Sequence, residues 1–558
     1  MIAPLLFLSV LAVSHIASVF PEEDEKLVSF TLLHNNDLHA RFEQISATLG
    51  SCTKNLEDKN ECYGGFARAV HLVREFRKET GNSLLYLYAG DTFTGTEWFT
   101  EFKGEICSRF MNLLSPDAMS LGNHEFDDDG LNGLARYVSD VNTTTLAANL
   151  EFPVNINVRA SNVFLINGIK IGVIGVLTPE TKSLSPGLTG SVVFNDEIGV
   201  INRESKKLKN QGVEIIIALT HSGYDKDKEI ASKCPEVDIV VGGHSHSFLS
   251  NGTIDRKHPE TESIQGPYPT IITRADGKSV VVVQAYAFSK YMGKLDLTFT
   301  KSGHLVQATG SPILLDHSVP QDQDVLDLLE DYRKRLPNKE VIGYSNVQMD
   351  GINECKKGEC NLGNLIMDAI VYDRVKSISE NRDYPYFTDA TIAFINAGGI
   401  RSSIDKKPGG AITKTDVVLV LPFKDRYKLV KIRGNTIRKA LEHSAFEYDR
   451  NNAEGGILQM AGVRVEFNVS RPVGAQVVKV LVLCAECDIP KYYPLDDTKL
   501  YNILVSDYLL GGGGGYVFTE DGMSAPVDLE KYDAEYVIEY IRERRIIYPM
   551  LEGRIVFL

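Results

Sequence analysis

The chain has 558 residues, 43% of them hydrophobic and 24% charged, a balance usual for a globular protein and a length that calls for two cores rather than one. Its formal net charge of -15 excludes a broad electrostatic surface for nucleic acid and confines any anion site to a local cluster.

The N-terminus carries an apolar stretch from Leu5 to Val13, small residues at Ser14, Ala17 and Ser18, and the acidic Pro21 to Glu25. This profile predicts a cleaved secretory signal over residues 1–20, although no basic residue precedes the apolar core. The run is short for a membrane anchor, and no later segment approaches spanning length. The last residues, Glu552 to Leu558, offer no spacer and hydrophobic tail, which argues against a glycolipid anchor.

Five short apolar runs follow: Phe30 to Leu33, Leu84 to Ala89, Ala118 to Leu121, Ile215 to Leu219, and Ile239 to Val241. Each reads as a buried parallel strand, and each is followed by polar residues: Asp37 and His39, Asp91, Asn123 and His124, His221, and His244 with His246. In an α/β sheet, ligands gather where the carboxyl ends of strands meet their loops, so these residues are expected to share one site. The pattern occupies Leu27 to Leu315 and closes in a β-rich run from Val280 to Thr300.

Asp322 to Tyr332 has apolar residues at helical spacing and reads as a connecting helix that stops near Pro337. A second α/β region begins beyond it, with strands expected at Ala390 to Ile395, Val417 to Val420, Tyr427 to Ile432 and Tyr501 to Val505. Its polar signals are Lys356 between two cysteines, Asn396 to Arg401 after a strand, Phe423, and Tyr508 before the glycines from Gly511 to Gly515. Glycine-rich turns such as Gly398-Gly399 let backbone N–H groups approach a phosphate, and Arg401 can grip its oxygens with a planar fork. Phe423 and Tyr508 are suited to sandwich a base. Each of these residues taken alone also fits a core, turn or surface role.

Eight cysteines behind a secretory signal point to an oxidised framework. Cys52 with Cys62, Cys355 with Cys360, and Cys484 with Cys487 are close enough in sequence to close small loops, which leaves Cys107 and Cys234 paired with each other or free. Sequons at Asn142, Asn251 and Asn468 agree with secretion.

Setting His124 aside, the strand-end residues supply two carboxylates, one amide and four imidazoles, enough for two divalent cations sharing a carboxylate. This donor mixture suits zinc, manganese or iron better than calcium. Such a pair clamps the attacking and leaving oxygens of a displacement at phosphorus, so phosphoester hydrolysis is the expected chemistry.

At these residues the chain resembles the ecto-5'-nucleotidase and apyrase family. The resemblance runs through Leu32 to Arg41, Ala89-Gly90-Asp91, Gly122 to Asp127, Thr220-His221-Ser222, Gly242 to His246, Asn396 to Arg401 and Leu421-Pro422-Phe423. It implies an α/β chain, α+β overall: a calcineurin-like metallophosphatase β-sandwich flanked by helices over residues 27–315, a linker helix over 316–340, and a C-terminal α/β nucleotide-binding domain over 341–558. It implies that Asp37, His39 and His246 hold one metal and Asn123, His221 and His244 the other, with Asp91 between them. Zinc or manganese would be the native ions, with calcium or magnesium serving in an assay. His124, oriented by Asp127, would stabilise the phosphoryl transition state or protonate the leaving oxygen while water activated at the metal pair attacks in line. Arg41, Lys356 and Arg401 would hold phosphate, and Asn396, Phe423 and Tyr508 the nucleoside. The family also implies a domain rotation that carries nucleotide to the metals.

Two positions depart from the ecto-5'-nucleotidase pattern. Lys356, a point charge, stands where an Arg fork is usual, and Gly514 stands where an Asp binds the ribose hydroxyls. Weaker nucleoside orientation matters most for a monophosphate, so extracellular ATP and ADP are expected as preferred substrates over AMP. That reading makes the chain a secreted apyrase that would oppose ADP-driven platelet aggregation; the alternative is a soluble 5'-nucleotidase making adenosine. A non-catalytic binder or platelet antagonist on the same fold would be marked by missing ligands, yet every ligand position is filled.

Overall fold

The computed structural model describes residues 27–185, 188–252, 262–336, 340–351, 354–380, 383–446, 448, 455–519 and 523–558. The expected signal over residues 1–20 lies outside them, as does Thr253 of the Asn251 sequon. Among the described residues no helix is long and apolar enough to cross a membrane.

The N-terminal half is a sandwich of two six-stranded sheets. One runs in the order Leu305–Leu314, Tyr291–Thr300, Leu27–Asn35, Leu84–Tyr88, Ala118–Ser120, Thr144–Leu146; the other, Thr270–Thr273, Ser279–Val283, Ile239–Val241, Ile215–His221, Ile169–Leu177, Ser161–Ile166. All five runs expected as strands are strands, and each has at least one parallel neighbour in its sheet. Phe30, Leu32, Leu85 and Leu87 meet Ile171, Val173, Ile215 and Ile217 between the sheets, where each is almost fully removed from water. The outer face of the first sheet is covered by helices Phe66–Thr80 and Glu97–Leu114. Helix Gln323–Arg333 joins this layer through Val325, Leu329 and Tyr332, and the Asp322 side chain caps it by accepting from Asp324 N at 3.1 Å. The β-rich run from Val280 splits, because Ser279–Val283 and Tyr291–Thr300 lie in different sheets and the link between them crosses the sandwich.

The C-terminal half holds a mixed sheet in the order Leu458–Ala461, Ile392–Asn396, Leu500–Ser506, Arg426–Arg433, Val527–Tyr532. Helices Asn361–Ser379 and Asp533–Arg544 pack on one face and Gly434–Phe446 on the other. The expected strand Val417 to Val420 is instead the end of helix Lys414–Val420. Thr413 and Asp416 form a capping box that satisfies the first free N–H groups, and this outweighs the β-propensity of the valines. The three expected disulfides are present. Cys107 and Cys234 are free and buried in different hydrophobic clusters, so of the two alternatives the structure takes the unpaired one.

The halves meet over the loops at the strand ends. Thr415 Oγ1 donates to Glu97 Oε2 at 2.6 Å, Ser402 Oγ to Leu49 O at 3.0 Å, and an Arg41 guanidinium nitrogen to Arg401 O at 3.3 Å.

Candidate active site

The seven strand-end donors converge. Asp37 and His39 follow strand Leu27–Asn35, Asp91 follows Leu84–Tyr88, Asn123 opens the short turn after Ala118–Ser120, His221 ends its strand, and His244 and His246 follow Ile239–Val241. Five of the seven sit at positive φ: Asp37 at 52°, His39 at 48°, Asp91 at 61°, His244 at 77° and His246 at 54°. L-residues reach this region at a cost that the surrounding fold must offset, and such strain concentrates at functional sites. The loops also approach closely. A Cβ on Gly122 would lie 2.1 Å from Asp91 Oδ1, and one on Gly90 would lie 2.7 Å from His221 Nδ1.

Two groupings emerge. Asp37 Oδ1 is 3.1 Å from His246 Nε2 and 3.8 Å from His39 Nε2, and the two imidazole nitrogens are 3.1 Å apart. Asp91 Oδ2 is 3.1 Å from His221 Nε2 and 3.6 Å from His39 Nε2, so it reaches into both groups. Asn123 Oδ1 lies 3.2 Å from His221 Nε2 and 2.9 Å from His244 Nδ1.

Ring tautomers are set from behind. His39 Nδ1 lies 3.0 Å from Thr94 O and His221 Nδ1 lies 2.7 Å from Ala89 O, so these nitrogens donate and the Nε2 atom of each ring faces inward. Burial pushes His244 down to about 4 and, with the Arg401 charge, holds His246 well below the usual imidazole range, so both are neutral. For His221 burial also acts downward, but Asp91 and Asp37 prevail and raise it to about 10. Asp91 stays ionised against burial because His221, His124 and His39 surround it.

This donor set fits divalent cations. Asp37 Oδ1 is buried with no hydrogen-bond partner, while its Oδ2 accepts from Asn36 Nδ2 at 2.6 Å and from His244 N at 2.9 Å. An orphaned carboxylate oxygen facing inward lone pairs is costly in a dry site unless a cation receives them. The nitrogen and oxygen donors suit zinc or manganese.

His124 stands beside these groups. Its Nδ1 is 2.7 Å from Asp127 Oδ2, which also accepts from Thr94 Oγ1 at 2.6 Å, and its backbone N donates to Asp91 Oδ1 at 2.9 Å. Burial opposes the charged imidazole, but Asp91 and Asp127 outweigh it and hold His124 above its usual value. That leaves Nε2 able to carry a proton toward a leaving oxygen.

From the other half, one Arg401 guanidinium nitrogen lies 3.3 Å from both His39 Nε2 and His246 Nε2. Its carbon is 5.4 Å from the centre of the Phe423 ring, and that ring stacks on His124 with 5.3 Å between centroids. Arg41 is buried with Nε unpartnered, and burial together with Arg401 lowers it to about 9. Two neighbouring guanidinium groups of this kind form a cradle for an anion. Lys356 lies near enough for its charge to lower His246 and stands against Gly455, where a Cβ would be 3.5 Å from Lys356 Cε. Gly455 O accepts from Gly398 N at 2.8 Å, which brings the Asn396–Gly399 turn alongside. Tyr508 packs over the glycine loop, where a Cβ on Gly513 would be 2.5 Å from its ring. Burial, followed by the charges of Asp425 and Glu180, pushes Tyr508 up to about 12.

Asn142 is exposed two residues before strand Thr144–Leu146, Asn251 is exposed two residues after the short strand Phe248–Leu249, and Asn468 accepts from its own Ser470 hydroxyl at 2.5 Å.

Two residues at the site were missed by sequence reasoning. Glu125 Oε1 accepts from Thr92 N at 2.6 Å and Oε2 from Asp91 N at 3.0 Å and Gly122 N at 2.5 Å, which ties the Asp91 loop to the Asn123 loop. Its position in Gly122 to Asp127 was a signal, since a Glu two residues beyond a donor asparagine has no apolar reason to be there. Phe288 packs against His39 and His246 at 5.7 and 5.3 Å and under Arg41 at 4.9 Å; no periodicity marks it, because it lies in the link between the sheets.

Residues 30–248 match the family described as Calcineurin-like phosphoesterase, and residues 341–520 match 5'-nucleotidase, C-terminal domain. Protein 5NUC of Lutzomyia longipalpis is 44% identical over 542 residues, covering 94% of this chain and 92% of that protein. A 5'-nucleotidase of Diplobatis ommata is 39% identical over 537 residues, covering 94% and 89%. The crystal structure of a 5'-nucleotidase precursor from Thermus thermophilus superposes with a TM-score of 0.81 at 33% identity, covering 95% of this chain and 99% of that one.

Proposed function

The chain belongs to the 5'-nucleotidase family and is a metal-dependent nucleotide phosphohydrolase, and from that premise we propose that it releases phosphate from nucleoside 5'-monophosphates such as AMP. The observation that carries this reading is the direct stack of Phe423 on His124. Phe423 thus places a nucleoside platform against the residue whose backbone N donates to Asp91 Oδ1 at 2.9 Å, so base and reacting phosphate share one site, in keeping with the 5'-nucleotidases that the chain resembles.

In this reading Asp37, His39 and His246 would hold one divalent ion and Asn123, His221 and His244 the other, with Asp91 available to both. When bound, the ions polarise the phosphoryl oxygens and lower the pKa of a water held for attack. The chain's own residues do the rest. Arg401 and Arg41 draw the phosphate into line, with Lys356 adding charge at the rim. Asp127 orients His124 so that its Nε2 protonates the departing 5' oxygen, and Asn396, Phe423 and Tyr508 hold the nucleoside.

A second reading is favoured by Gly514, which offers no carboxylate for ribose where the loop turns beside Tyr508. Nucleoside di- and triphosphates compensate through extra charge contacts, and a chain using them would remove the platelet agonist ADP. Steady-state phosphate release from AMP, ADP and ATP under matched zinc or manganese separates the two, and ADP or ATP turned over faster than AMP would overturn the first reading. The same proposal places the chain outside the cell, in keeping with three disulfides and the sequons. Recovery of processed protein from expression medium would support this, and retention in the cell would count against it.

A further inference from the structure

The segment leaving the Asn396–Arg401 turn does more than carry Arg401. Four residues on, Asp405 spreads its carboxylate over two hydroxyls of the N-terminal half: Ser46 Oγ donates to Oδ2 and Thr48 Oγ1 to Oδ1. Gln348 Nε2 donates to Oδ1 from the C-terminal side at 2.7 Å. Between Asp405 and Arg401 the chain is stiffened by paired backbone bonds of Ile404 with Met349, at 3.0 and 3.1 Å, and by Ser402 Oγ donating to Leu49 O at 3.0 Å.

The N-terminal partner is a small rigid turn. Ser46 N donates to Gly50 O at 2.9 Å, Leu49 N to Ser46 O at 3.1 Å, and Gly50 N to Ser46 Oγ at 3.0 Å. Because Ser46 Oγ already accepts there, its own proton is free to point at Asp405. The Cys52–Cys62 disulfide closes the loop behind this turn. A Cβ on Gly50 would lie 2.5 Å from Asp405 Oδ2 and 3.2 Å from Ser403 O, so the approach requires glycine at that position.

The site itself creates the need for such a contact. Arg401 approaches the imidazoles of His39 and His246, and an Arg41 guanidinium nitrogen donates to the Arg401 carbonyl at 3.3 Å, so two cationic side chains meet beside those rings. Cations held by those imidazoles would add to the repulsion until an anionic phosphate arrives. A contact away from the charges offsets that repulsion when the halves meet in this arrangement, and hydrogen bonds to a carboxylate are stronger than those between neutral groups.

We propose that Asp405 is a positioning residue whose grip on Ser46 and Thr48 clasps the two halves together and sets Arg401 over His39 and His246. It acts through Arg401 and touches no reacting atom.

The test compares Asp405→Ala, Asp405→Asn, the pair Ser46→Ala with Thr48→Val, and their combination, all in the full chain. Metal content and thermal unfolding are measured beside kcat and KM for AMP, and the distance distribution between labels on the two halves is recorded without substrate. Asp405→Ala is expected to lower kcat about tenfold or more at unchanged metal content and melting temperature, and to broaden the distance distribution. Ser46→Ala with Thr48→Val should match it, the combination should add nothing further, and Asp405→Asn should recover part of the loss. Fully additive losses, an unchanged distance distribution, or metal loss in Asp405→Ala would each overturn the proposal. The kinetic arm rests on the phosphohydrolase reading. If the unaltered chain releases no phosphate from any nucleotide, that reading fails, while the distance distributions still decide the clasp.

Discussion

The imidazole of His124 and the ring of Phe423 lie face to face, 6° apart in plane and 5.3 Å between centroids, although they come from opposite halves of the chain. His124 is fixed on its other side by Asp127 at 2.7 Å, so the proton-handling group and the nucleoside platform are built into one stack.

His124→Ala is expected to keep both cations, because none of the seven donors changes, and to lose about 10²- to 10⁴-fold in kcat, the usual contribution of a positioned acid. Metal analysis alongside steady-state kinetics checks this. Metal loss comparable to that of Asp91→Ala would reassign His124 as a ligand.

Phe423→Ala should raise KM for nucleotide roughly tenfold, since stacking of a base on an aromatic ring is worth about 1–3 kcal/mol. Turnover of a small phosphoester lacking a base should change far less. Equal effects on both substrates would remove the stacking role.

Gly514→Asp is expected to lower KM for AMP several-fold and to shift the AMP-to-ADP rate ratio toward AMP. The change is sterically open: a Cβ there meets nothing closer than Tyr516 Cδ2 at 3.5 Å, and the Asp side chain tolerates the left-handed φ of 61° better than most. An unchanged ratio would show that this position does not select the substrate.

Chelation should abolish activity and lower the melting temperature, because Asp37 and Asp91 are both buried among inward-facing lone pairs that a cation offsets. Adding zinc or manganese back should restore both quantities together. Asp91→Ala should lose metal and gain little stability from added zinc; full occupancy of both sites in that variant would defeat the bridging assignment.

Much of the site was legible because parallel strands end in loops on one side of a sheet, so residues after five apolar runs had to lie near one another. Asp37, His39, Asp91, Asn123, His221, His244 and His246 could be named from that rule. Glu125 and Phe288 escaped it. The first binds backbone N–H groups of two loops, a role that its place near Asn123 marks only as polar, and the second sits where the chain crosses between sheets. Val417 to Val420 reads as a strand in sequence because three valines and a leucine outweigh a two-residue cap in any local count, yet it ends the helix Lys414–Val420.

The sequence by itself determined the donor types, their order and the phosphorus chemistry they suit, because strand periodicity and residue identity are local properties. The family resemblance implied how the donors group around Asp91 and that Arg401 and Phe423 serve the site; only the tertiary structure decided that Cys107 and Cys234 stay apart in separate clusters, that Phe423 stacks on His124, and that Glu125 ties two of the loops together. Those outcomes depend on how two sheets stack and how two halves meet. Contacts across such distances in sequence are set by the packing of whole surfaces, which no window of residues contains.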